Sequence, residues 1–178
     1  MHRALRWAFF LVLLTLSATS FGLDAKDGWY HTGDSVRKKR VVIVNVSVYA
    51  IAHDMRCLPQ AKTKQAVIDA DCDKRFTLRM LMDVDQTKIV NALREAYTLN
   101  GYTDATKINA AMGAFSAPLT KNAYITVTYD SVNKKTTFWE QNGGSAAVQG
   151  IDFMKGSWSI WLGKIDPPSV GDELIGNL

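Results

Sequence analysis

The motifs that mark the common enzyme classes are missing from this sequence. It has no G-x-S-x-G, P-loop, H-E-x-x-H or C-x-x-C motif. The chain has only two cysteines and three histidines, and His31 and His53 lack ligand spacing with the cysteines. Asp69, Asp71 and Asp73 alternate, but the glycine and terminal glutamate of a calcium loop are absent. We therefore expect neither a metal nor a cofactor.

A hydrophobic run long enough to span a bilayer is also missing. Arg3 and Arg6 precede about ten apolar residues, which are followed by the small residues of positions 17–20. This order is typical of a cleavable signal peptide, whereas a membrane-spanning helix needs roughly twenty apolar residues. We expect residues 1–22 to be the signal and residues 23–178 one domain, periplasmic or secreted, without a stable membrane span.

The net charge of the chain is low once the predicted signal is set aside. The formal charge is +4, and Arg3 and Arg6 account for two of those charges. The dense basic cluster Arg37-Lys38-Lys39-Arg40 suits an acidic partner, membrane headgroups or nucleic acid, or a solvated turn before a strand. Export makes nucleic acid a poor fit, so we expect no nucleic-acid partner.

The two cysteines have a straightforward interpretation in an exported chain. Cys57 and Cys72 are predicted to form a disulfide. Closing a loop of this length stabilises a fold by about 3 kcal/mol in the chain-entropy model.

Hydrophobic periodicity predicts strands, then helices, an antiparallel meander and a final helix. A first short strand and turn are expected around Gly33. Further strands are expected over 41–50, 76–82, 123–129, 136–141 and 146–151. Two helices are expected over 63–70 and 104–115. Two more are expected to begin at caps, one from Asp83 or Asp85 to position 100 and one from Asp152 to Gly163. This order predicts an α+β fold.

The strongest predicted strand, 41–50, alternates in character. One side carries Val44, Val46 and Val48, and the other carries Asn45, Ser47 and Tyr49. The alternation indicates one face toward a core and one toward a more polar environment.

Large aromatic residues are concentrated late in the chain. They either line a pocket for an apolar ligand or belong to the core; they are Trp139, Phe153, Trp158 and Trp161.

Ordered short motifs resemble the chalcone isomerase-like family. The C-terminal ones are Gly150-x-Asp152-Phe153, Ile160-Trp161-Leu162-Gly163 and Asp172-Glu173-Leu174. The earlier ones are Gly33-x-x-x-Arg37-x-Lys39, Val46-x-Val48-Tyr49 and Phe76-x-Leu78-x-x-Leu81-x-Asp83-Val84. The resemblance implies an open-faced sandwich, in which a large antiparallel sheet is covered on one side by helices. The family includes enzymes that cyclise chalcones and non-enzymatic fatty-acid-binding proteins with a cleft between sheet and helices.

The resemblance transfers few site residues. Arg37 matches the arginine that precedes the core strand in the enzymes, where a guanidinium would hold a carboxylate or a phenolate. The alternative is that Arg37 is simply one member of the basic cluster and faces solvent. Val44 and Ile160 stand where the enzymes have threonines, and the catalytic tyrosine has no match. Chalcone isomerase activity is therefore not expected.

The leading hypothesis is an exported, non-catalytic binder of a hydrophobic small molecule, for example a fatty acid. Arg37 would hold its polar head and the Tyr49 hydroxyl would assist. Two alternatives stay open: an intramolecular lyase or isomerase acting on an unknown substrate, and a cell-envelope interaction module that uses the basic cluster or an exposed aromatic patch.

Overall fold

The computed structural model of the chain describes residues 23–41 and 44–178. The predicted signal, residues 1–22, lies outside the described part. Six strands form one sheet in which every neighbouring pair is antiparallel and strand order follows chain order. They are β1 (Tyr30–Val41), β2 (Val44–Met55), β3 (Lys74–Met80), β4 (Tyr124–Asp130), β5 (Lys135–Glu140) and β6 (Ser145–Gln149).

Helices connect or follow these strands. They are α1 (Lys64–Asp69), α2 (Gln86–Leu99), α3 (Ala105–Met112), α4 (Ile151–Leu162) and α5 (Ser169–Glu173). The predicted α+β class, a large antiparallel sheet with a helical layer, is confirmed. None of the helices in the described ranges is long and apolar enough to cross a membrane.

Side-chain caps explain where most of the longer helices begin. Thr63, Asp85 and Asp104 each accept a hydrogen bond from a backbone N–H in the first turn of the helix that follows. The expected Asp152 cap is wrong, because α4 begins one residue after Gly150 and Asp152 lies inside its first turn. There the carboxylate still faces the positive end of the helix dipole.

The first two strands are longer than predicted. β1 continues through Gly33, where a Cβ atom would come within 2.1 Å of the Glu173 carbonyl oxygen. The glycine is therefore needed for close backbone packing, and the expected turn around it is wrong. The basic cluster lies in β1, so its interpretation as a solvated turn is also wrong.

A β-bulge decides which face Tyr49 occupies. Arg37 pairs with Tyr49, but Lys38 pairs with Ser47, so Val48 is an extra residue in β2. Beyond the bulge, Tyr49 shares its face with three buried residues, Ile51, His53 and Met55. The predicted grouping of Tyr49 with a polar face is therefore wrong.

The core lies between the sheet and the helices. Alternate residues of the strands are buried there against α4; the core includes Phe76, Leu78, Ile125, Val127 and Phe138 from the strands and Phe153 and Trp158 from α4. On the opposite face of the sheet, Val36, Tyr124 and Trp139 are exposed. Cys57 and Cys72 form a disulfide that brackets α1 at the edge of the core.

Candidate functional site

A cavity of about 490 Å³ lies between the sheet and helices α2 and α4. The sheet and the two helices supply mainly apolar walls. These include Leu78, Ile89, Leu93, Phe115, Ile125, Val127, Phe138, Ile160 and Trp161. An apolar cavity with a few polar groups is the usual form of a site for a small hydrophobic molecule.

Arg37 and Tyr49 provide polar groups in this cavity. They are direct partners in the β1–β2 pairing, and both line the cavity wall. The Arg37 Nη1 atom is buried and has no hydrogen-bond partner among the described residues. An unpartnered buried guanidinium nitrogen is costly, so this atom is available to an acceptor that enters the cavity. The two predicted binding residues thus lie side by side.

The Tyr49 hydroxyl is held by an indole from α4. Trp161 Nε1 donates to Tyr49 Oη over 3.0 Å, which leaves the phenolic hydrogen for another acceptor. Burial raises the pKa of Tyr49, although the Trp161 hydrogen bond and the Arg37 charge act to lower it. Tyr49 therefore stays neutral and able to donate near neutral pH. We call Arg37, Tyr49 and Trp161 the open cluster.

A second polar cluster lies on the same face of the sheet. Trp158 Nε1 donates to His53 Nε2 over 2.9 Å, so the ring proton must be on His53 Nδ1. His53 Nδ1 lies 2.6 Å from Thr32 Oγ1, and the Thr32 hydroxyl donates to the Leu174 carbonyl oxygen over 2.7 Å. We call Thr32, His53 and Trp158 the closed cluster, because its side-chain polar atoms are paired.

Burial in the closed cluster lowers the pKa of His53 to about 3, and the Lys74 charge acts in the same direction. His53 is therefore neutral over the physiological range. A neutral, fully paired histidine in the core serves packing and not proton transfer.

The mouth of the cavity is charged. Lys39, Glu95, Lys164 and Asp166 line it and are exposed. Leu99 lines it too, with 56% of its surface exposed. The opening therefore combines cations, carboxylates and an apolar side chain.

The alternating aspartates are engaged in contacts on the surface. Asp69 pairs with Lys155, Asp71 with Lys134, and Asp73 accepts hydrogen bonds from Ser131. Asp71 and Asp73 flank Cys72 in the loop before β3, whereas Asp69 is the last residue of α1. In the described ranges, no group of three or more His, Cys, Asp or Glu side chains is placed to hold a metal ion.

The late aromatic residues divide between the two interpretations. Trp161 lines the cavity, whereas Phe153 and Trp158 are buried in the core. Trp139 is exposed on the opposite face of the sheet.

Sequence reasoning named Trp161 as a candidate pocket residue but missed its hydrogen bond to the Tyr49 hydroxyl. Its spacing of three from Trp158 predicts that both indoles share a helix face, and this was the available signal. Of the two positions that hold threonine in the enzymes, Ile160 lines the cavity. The side chain of Val44 lies outside the described set.

An open-faced α+β sandwich with a cleft between sheet and helices is the architecture expected of chalcone isomerase-like proteins. A sequence model of that family, described as chalcone isomerase-like, matches residues 32–169, and the chain belongs to this family. The resemblance inferred from the ordered motifs is thereby confirmed.

A solved structure has the same fold. The crystal structure of a fatty-acid-binding protein from Arabidopsis thaliana matches with a TM-score of 0.66 and 15% identity, over 88% of this chain and 91% of that chain. At this identity the likeness shows the fold alone. No curated protein matches the chain by sequence.

Proposed function

We propose that this chain binds a hydrophobic small molecule with an anionic head, for example a fatty acid, without catalysing a reaction. The unpartnered Arg37 Nη1 atom in an apolar cavity carries this proposal. Arg37 and Tyr49 would donate to one carboxylate, since they are neighbours across two strands and both have hydrogen atoms to donate.

The remainder of the cavity suits an acyl chain. Its walls away from Arg37 are aliphatic and aromatic, so a long apolar tail would exchange water for carbon contacts. This proposal agrees with the description of a protein of the same fold as a fatty-acid-binding protein.

We also propose that residues 1–22 are removed on export and that the domain works in the periplasm or outside the cell. A disulfide between Cys57 and Cys72 persists in such compartments.

The decisive experiment compares a fatty acid with the fatty alcohol of the same chain length. Native mass spectrometry and titration should show that the purified protein prefers the acid, because only the acid presents a carboxylate to Arg37. Arg37→Met should weaken acid binding roughly tenfold to hundredfold, as expected for lost charged hydrogen bonds, and should abolish the preference.

Arg79→Met is the matched control. Arg79 is exposed and lines a separate pocket on the opposite face of the sheet, so its loss should leave acid binding unchanged. Equal binding of acid and alcohol by the unaltered protein, or full acid binding by the Arg37 variant, would contradict the proposal.

A second candidate function is an intramolecular lyase or isomerase. The observation that favours it is the Tyr49 hydroxyl facing the cavity beside Arg37. Against it, Ile160 stands where the resemblance places a threonine. Nuclear magnetic resonance of an incubated phenolic chalcone distinguishes the two, since the binding function predicts an unchanged spectrum of the recovered compound.

A further inference from the structure

The β1–β2 hairpin extends beyond the remainder of the sheet. β3 accompanies β2 only as far as the pair Tyr49 and Met80, with one further bond from Leu81 N to the Val48 carbonyl oxygen. Beyond that point β1 and β2 form four more register pairs with each other alone, from Lys38–Ser47 to Val41–Val44. We call this two-stranded extension, residues 38–41 and 44–47, the arm. It is roughly 13 Å long at the usual rise per residue.

The arm carries positive charge without compensation. Lys38 and Lys39 are exposed, and they point to opposite sides, since Lys38 lines the pocket on the open face of the sheet while Lys39 lines the cavity. No aspartate or glutamate occurs anywhere in positions 35–53. Within the described part of the chain, neither lysine takes part in an ion pair.

The arm lies beside the opening of the cavity. Lys39 and Lys164 line that opening together with the carboxylates of Glu95 and Asp166 and with Leu99, whose side chain is more than half exposed. A surface that meets the arm would therefore also meet the cavity mouth and its exposed leucine.

Besides its charged residues, the arm contains the polar residues Asn45 and Ser47 and the aliphatic residues Val41, Val44 and Val46. Positions 41, 42, 43 and 44 are all valine or isoleucine, and Val46 follows. Lysines beside aliphatic residues match the boundary of a lipid bilayer, where anionic headgroups adjoin hydrocarbon. Nucleic acid and acidic proteins would use the charge alone.

We propose that the arm and the adjacent cavity mouth form a docking surface for an anionic lipid bilayer. Lys38 and Lys39 contact the headgroups, while Leu99 faces the membrane boundary beside the cavity opening. The proposal concerns the surface charge and does not rest on the ligand proposed above, because the lysines attract anionic lipid whether the cavity is full or empty.

Vesicle flotation tests this surface directly. At low salt the protein should float with vesicles of phosphatidylglycerol and phosphatidylcholine, not with phosphatidylcholine alone, and high salt should release it. Lys38→Glu combined with Lys39→Glu should reduce binding by roughly tenfold or more, since each basic residue near a charged bilayer contributes about 1 kcal/mol. The corresponding double glutamine variant should give a smaller loss.

The matched control reverses two lysines at the other end of the sheet. Lys26→Glu with Lys135→Glu changes the net charge equally but lies away from the arm, where β1 begins and β4 joins β5. This control should keep its vesicle binding, and circular dichroism should show that all variants are folded.

Two further outcomes overturn the proposal. One is an equal loss in the arm variant and the control, which would indicate general charge attraction. The other is the absence of flotation together with arm-dependent binding of a DNA duplex or polyglutamate, which would assign the arm to a different polyanion. Lipid-stripped protein should float as well as loaded protein, so a failure of ligand binding remains distinguishable from a failure of docking.

Discussion

The open and closed clusters are built from the same elements but differ in one respect. Each joins a residue of β1, a residue of β2 and an indole of α4. In the closed cluster, His53 uses both ring nitrogens and Thr32 finds a backbone acceptor. In the open cluster, Arg37 Nη1 has no partner in the described part and the Tyr49 hydrogen is free to be donated.

This difference separates polar groups that stabilise the fold from those proposed to bind a ligand. A buried polar group that is fully paired stabilises the fold, whereas one that lacks a partner costs stability until a ligand supplies it. The spacing of three between Trp158 and Trp161 delivers one indole to each cluster. One helix therefore supports both a sealed core contact and the proposed binding site.

The largest effect should come from breaking the closed cluster. His53→Ala would leave Trp158 Nε1 without an acceptor and would create a cavity in the core, so the free energy of unfolding should fall by about 3–5 kcal/mol. Urea denaturation measures it. His31→Ala, at a partly exposed histidine, should cost less than about 1 kcal/mol. Equal costs for both variants would show that the closed cluster does not stabilise the core.

Acid should weaken the closed cluster by linkage. His53 has a pKa of about 3 when folded and an ordinary value of 6.5 when unfolded, so below pH 6.5 the unfolded chain binds a proton that the folded protein does not. Stability is therefore lost as pH falls from 6.5 toward 3, by about 1.4 kcal/mol per pH unit.

Urea unfolding at about pH 7 and about pH 5 measures this loss against His53→Gln, whose amide does not titrate. The unaltered protein should lose about 2 kcal/mol more than the variant between these conditions.

His31 acts in the opposite direction. Burial lowers its pKa, but the hydrogen bonds with Asp54 and Asp34 outweigh this and raise it. The His31 contribution is therefore present below pH 6.5 and is lost as pH rises through its raised pKa. For His53, the contradicting result is an equal dependence of the free energy of unfolding on pH in the unaltered protein and the His53→Gln variant. It would show that His53 is not buried in its neutral form.

The smallest effect should come from the open cluster. Tyr49→Phe removes one donor to the proposed carboxylate and the acceptor of Trp161 Nε1, so fatty-acid affinity should fall about fivefold to tenfold and stability by roughly 1 kcal/mol. Isothermal titration and urea denaturation give the two values. Tyr124→Phe, at an exposed tyrosine on the other face, is the control and should change neither. A Tyr49 variant with unaltered affinity would restrict head-group binding to Arg37.

Much of the fold was predictable because its signals are local. Alternation in 76–82 and 123–129 marks strands, and Asp85 and Asp104 mark helix starts through contacts within one turn. The disulfide between the two cysteines was also predictable without knowledge of the tertiary structure. The sequence predicted the length of the first strand poorly, because Gly33 looks like a turn residue until the backbone of α5 is placed against it.

The candidate site was only half predictable. Arg37 and Tyr49 were named as ligand-binding residues, Arg37 through the family resemblance, but the residue pattern alone placed Arg37 in a basic cluster and Tyr49 on a polar strand face. The bulge at Val48 changes this, since one extra residue in β2 moves Tyr49 onto the face that α4 covers. A bulge depends on the pairing of two strands, so no single segment specifies it.

The sequence by itself determined the α+β order of elements, the beginnings of α2 and α3, the cysteine pair and the family. These depend on residues close in the chain or on their order along it. The tertiary structure alone decided that Arg37 Nη1 is buried without a partner, that Trp161 holds the Tyr49 hydroxyl, and that the basic arm extends past β3 beside the cavity. Each of these depends on register and packing between distant segments, where a shift of one residue exchanges the two faces of a strand.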